Sequence, residues 1–98
     1  MRRKAVVSMP KALRDFLGLS FYFWSNEASG LKIEPIHIHV CRGSPVANAT
    51  KIWLKQDGTI ELCNNNSRLA PTELSRVIEY VKANYNAIIA EWYRHFGI

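Results

Sequence analysis

The C-terminal quarter of the chain leaves the fewest choices. Leu74, Ile78, Val81, Tyr85, Ile88, Trp92 and Phe96 recur at steps of four and three residues, and Val77 and Ile89 widen the stripe. That spacing places them all on one face of an α-helix. Thr72 as N-cap, or Pro71 at the first helical position, opens the helix with Glu73 in its first turn. Lys82, Arg94 and His95 lie toward the C-terminal end, where the helix dipole favours cations, and Gly97 stops it. The expectation is one helix of about six turns, at about 1.5 Å per residue, long enough to cross a small sheet.

Upstream the periodicity changes to two. Ser20–Trp24 is a strand by composition, with Phe21 and Phe23 on one face and Tyr22 and Trp24 on the other. Ser25–Gly30 is a polar turn, and Leu31–Ile33 is ambiguous. Asn48–Lys55 puts Ile52 and Leu54 one way and Lys51, Trp53 and Lys55 the other. Thr59–Cys63 follows with Ile60 and Leu62 inward. Asp57-Gly58 between these two runs signals a hairpin of type I′, whose two central residues both need positive φ. Cys63–Arg68, with three successive asparagines, is a loop. Pro10–Leu17 has two readings: a short helix ended by Gly18, with Leu13, Phe16 and Leu17 on one face, or an extended lead-in to the next strand.

The strand from Pro35 to Cys41 carries the chemistry. Alternation puts His37, His39 and Cys41 on one face and Ile36, Ile38 and Val40 on the other. Pro35 lacks an N–H, which suits the first residue of a strand. Two imidazoles two residues apart project the same way, with Cα atoms about 6.6 Å apart. Because the opposite face is wholly apolar, the histidines are expected on the open side of the sheet, away from the helix. The expected fold is α+β, a small antiparallel sheet of about four strands packed on one long C-terminal helix.

The chain has 98 residues, which suffices for one core without disulfides or metal. Its net charge is +5, and Arg2, Arg3, Lys4, Lys11 and Arg14 contribute five positive charges before any acid appears. From Asp15 onward, eight basic and eight acidic residues cancel. Residues 1–8 are therefore expected to be a basic tail on a balanced domain spanning 9–98. Such a tail attracts phosphate without specificity and says little about the fold. Met9-Pro10-Lys11 interrupts any apolar segment behind the basic start, so no signal peptide is expected and the protein is expected in the cytoplasm. Cys41 and Cys63 then stand as free thiols.

Three functional readings follow. Histidines 37 and 39 can act as general acid and base, with Trp24, Arg42, Lys51, Trp53 and Lys55 as a surface for RNA, which supplies its own 2′-OH and needs no cofactor. Alternatively, Tyr22, Trp24 and Trp53 form an aromatic patch that docks a partner protein, with no enzymatic role. Thirdly, the His37–His39 pair, joined by Cys41 and Cys63, is a donor set zinc accepts, although the spacing departs from the usual zinc knuckles.

Three stretches together, Phe21-Tyr22-Phe23-Trp24-Ser25-Asn26-Glu27, Glu34-Pro35-Ile36-His37-Ile38-His39-Val40 and Lys51-Ile52-Trp53-Leu54, with the C-terminal helix bearing Trp92 and Phe96, resemble the bacterial family named domain of unknown function 4160. That family carries a Pro-Pro-His-x-His-Val signature; here Ile36 replaces the second proline, and the loop from Ala28 to Glu34 is longer. The resemblance implies a small cytosolic bacterial protein without an established reaction, encoded beside a second small protein in a toxin–antitoxin-like arrangement. It also implies His37 and His39 as the functional positions.

Overall fold

The computed structural model describes residues 10–24 and 35–97. The basic tail, the turn at Ser25–Gly30 and the segment Leu31–Ile33 lie outside the described residues. Five strands, β1 Lys11–Phe16, β2 Leu19–Tyr22, β3 His37–Arg42, β4 Thr50–Leu54 and β5 Ile60–Asn64, precede two helices, α1 Pro71–Ala83 and α2 Tyr85–Phe96. The strands form one antiparallel sheet in chain order. This is the expected α+β layer pair, with one more strand and one more helix than the sequence pattern indicated.

The extra strand replaces the short N-terminal helix. Eight residues are too few to hold a helix without help from packing, whereas β1 pairs with β2 from Lys11↔Tyr22 to Phe16↔Leu19. The Pro10 carbonyl extends the pairing by accepting from the Phe23 N–H at 3.0 Å. Gly18 closes a hairpin instead of a helix. Leu17 and Gly18 sit at φ 56° and 73°, the two left-handed residues of a type I′ turn.

That turn type was expected at Asp57-Gly58 and is not found there. Among the described residues only Leu17 and Arg68 are non-glycines with positive φ, so Gly58, at φ 90°, is left-handed and Asp57 is not. The loop holds three residues inside the Lys55–Thr59 pair, with the Gly58 N–H donating to the Lys55 carbonyl at 3.1 Å. Asp57 Oδ1 accepts from both the backbone N–H and the hydroxyl of Thr59, at 3.0 and 2.6 Å. This side-chain turn is the alternative that aspartate offers to the left-handed backbone.

The expected six-turn helix is broken at Asn84. Its backbone, at φ −115° and ψ 22°, leaves the helical region, and its amide donates to the Tyr80 carbonyl at 2.9 Å. A side chain bonding one turn back competes with the helical ladder. The apolar stripe survives the break. Val77, Val81, Ile88 and Trp92 join Leu19, Phe21, Phe23, Ile38, Val40, Ile52 and Leu54 in one buried cluster. Pro71 occupies the start of α1, where the Ala70 N–H donates to Glu73 Oε1 at 3.0 Å. Gly97, at φ 70°, ends α2 as expected and donates to the Tyr93 carbonyl at 2.8 Å.

The asparagine loop works through side chains. Thr50, fully buried, donates from Oγ1 to Asn65 Oδ1 at 2.8 Å and from its N–H to Ser67 Oγ at 3.0 Å. Ser67 Oγ in turn donates to the Val40 carbonyl at 2.7 Å. The loop thereby satisfies backbone groups at one end of β3 and β4. Leu62, expected inward, is 37% exposed on the edge strand β5.

Leu17 offers the clearest test of these local rules. A leucine in the left-handed region costs about 1–2 kcal/mol, and its side chain is 42% exposed, so little apolar burial compensates. Leu17→Asn is expected to raise stability by about 0.5–1 kcal/mol, read as a higher urea midpoint at unchanged slope. An unchanged or lower midpoint contradicts the strain.

Candidate functional site

Strand β3 delivers His37, His39 and Cys41 to one face, as its alternation requires. In register, Tyr22 of β2, His39 of β3 and Lys51 of β4 form one row across the sheet, and His37 pairs with Trp53 of β4. The rings pack as a ladder. Tyr22 and His39 stack at 5.7 Å between centroids, with 20° between planes. His39 meets His37 edge-on at 5.4 Å, and His37 meets Trp53 edge-on at 5.3 Å. Lys51 Nζ lies 4.5 Å from the Trp53 ring centroid, a cation–π contact.

The face is not open. His37 and His39 are 1% and 2% exposed, against the expectation of a solvent-facing pair. The expected separation from the helices also fails for His37, whose ring lies 5.5 Å from that of Trp92 on α2. Sequence alternation assigns a side chain to a face but is silent on what covers that face. His37 Nδ1 lies 2.8 Å from the Pro35 carbonyl oxygen. A carbonyl only accepts, so Nδ1 carries the proton and Nε2 the lone pair in the neutral ring.

Tyr22 and Cys41 anchor the segment after β3 to this same face. The Tyr22 hydroxyl donates to the Val46 carbonyl at 2.7 Å and accepts from the Val46 N–H at 3.0 Å. Cys41 Sγ lies 3.4 Å from that hydroxyl and donates to the Ser44 carbonyl at 3.4 Å. Trp24 is half-buried against Tyr22, Cys41 and Ala49. This cysteine is a buried packing group. Cys63 is exposed on β5, and among the described residues no three His, Cys, Asp or Glu side chains are placed to hold one metal ion.

Two of the cations grouped with the histidines serve elsewhere. Lys55, at the end of β4, pairs with Glu61 of β5 at 2.6 Å, and its carbonyl accepts from the Tyr85 hydroxyl. Arg42 belongs to the Ile38–Val40 face. It forks onto Glu73 of α1, Nη1 to Oε2 at 2.7 Å and Nη2 to Oε1 at 2.5 Å. The parity of the strand already places Arg42 opposite His39, although Glu73 as its partner has no sequence signal. The two arginine bonds, with the Ala70 N–H, hold the Glu73 carboxyl down at about 2. A groove of about 770 Å³ lies between α2 and the ends of β3 and β4, lined by Ile36, Leu54, Tyr85, Ile89, Trp92 and Tyr93 among others.

The chain matches the family described as "Domain of unknown function (DUF4160)" over residues 18–93 and belongs to it. Comparison with curated proteins and with solved structures yields no match.

Glu73 fixes the sign of an acid response. Its pKa falls from 4.5 to about 2 on folding. The pairing therefore stabilises the fold fully above about pH 4.5, and that contribution is lost as pH falls toward 2. Glu73→Gln is expected to flatten the acid side of the stability–pH curve in that window while leaving its shape above pH 5 unchanged. Equal acid slopes for the two proteins in urea titrations contradict the pairing.

Proposed function

We propose that this chain is one member of a toxin–antitoxin-like pair of small proteins, and that it acts by binding its partner without cleaving RNA. The burial of His37 and His39 carries the reading. A general acid or base must come within about 2.6–3.2 Å of the proton it moves. Side chains 1% and 2% exposed do not present themselves to a polynucleotide. Their rings are packed among Tyr22, Trp53 and Trp92, and one ring nitrogen is committed to a backbone carbonyl. Histidines used this way shape a surface by packing beneath it.

The family supplies the other half of the reading, since the resemblance implies a neighbouring small protein. The groove along α2 supplies a contact surface, with Tyr93 51% exposed at its rim. Apolar and aromatic lining with a polar edge is the composition of a protein-binding patch. No helix among the described residues is long and apolar enough to cross a membrane.

The test joins growth to binding. Induced expression of wild type, His37→Gln and His39→Gln, each checked for folding, is expected to give the same growth, and purified wild type leaves labelled RNA intact. The product of the adjacent reading frame co-elutes with wild type, and Tyr93→Asp weakens that binding by about tenfold or more. Growth arrest and RNA cleavage by wild type, both absent from the folded histidine variants, would restore the catalytic reading and remove this one.

A further inference from the structure

We draw no further inference here: the strongest candidate, the groove along α2 with the exposed Tyr93 at its rim, belongs to the surface already assigned to a partner protein, and nothing in the structure shows what covers it.

Discussion

Strand β3 is buried on both faces, and the rest of the structure answers that constraint. Five consecutive residues, His37 to Cys41, are buried. Such a strand cannot stand as one side of a half-wet sheet. Its Ile38 and Val40 require the helices, and its histidines require partners that accept polar rings without water. The Pro35 carbonyl engages His37 Nδ1, and Tyr22 and Trp53 pack against the rings on one side, while Val77, Val81 and Ile88 belong to the core cluster on the other. Trp92 touches both, packing edge-on against Phe23 at 5.5 Å and against His37 at the same distance. The single indole therefore couples the core cluster to the histidine ladder.

Polar contacts tie the covering layers to the sheet at separate points. The Arg42–Glu73 fork joins the end of β3 to the first turn of α1, at the place where α1 also uses Glu73 to satisfy the Ala70 N–H. A bidentate guanidinium–carboxylate pair fixes direction as well as distance. Tyr80 joins α1 to β1, stacking on Phe16 and donating to the Arg14 carbonyl. Tyr85 joins α2 to the end of β4. The break at Asn84 lies between these last two anchors, so each half of the former single helix is held to a different strand.

Much of this was legible in the residues. Period-two alternation placed His37, His39 and Cys41 opposite Ile38 and Val40, and the apolar stripe from Leu74 to Phe96 marked the helical layer. The break at Asn84 is hidden because the step from Val81 to Tyr85 keeps helical spacing across it, while the Asn84 backbone leaves the helical region and its side chain bonds one turn back. Pro10–Leu17 satisfied both helical and extended spacing, and the choice is made by pairing with β2, which is not local. Leu17 in the left-handed region runs against residue preference, whereas Asp57-Gly58 carries the usual type I′ signal without forming that turn. Coverage of the histidine face was illegible for a physical reason: alternation is a property of one strand, whereas burial belongs to everything packed on it.

His37 and His39 are packing groups inside the sheet, and carbethoxylation followed by peptide mass analysis tests their burial directly. His95, exposed at the end of α2, serves as the internal reference. With brief diethyl pyrocarbonate treatment of the native protein, His95 is predicted to react while His37 and His39 stay unmodified until urea unfolds the chain. Modification of His37 or His39 at the rate of His95, in protein that remains folded, would put the imidazoles on an accessible surface and rule out their role as packing groups.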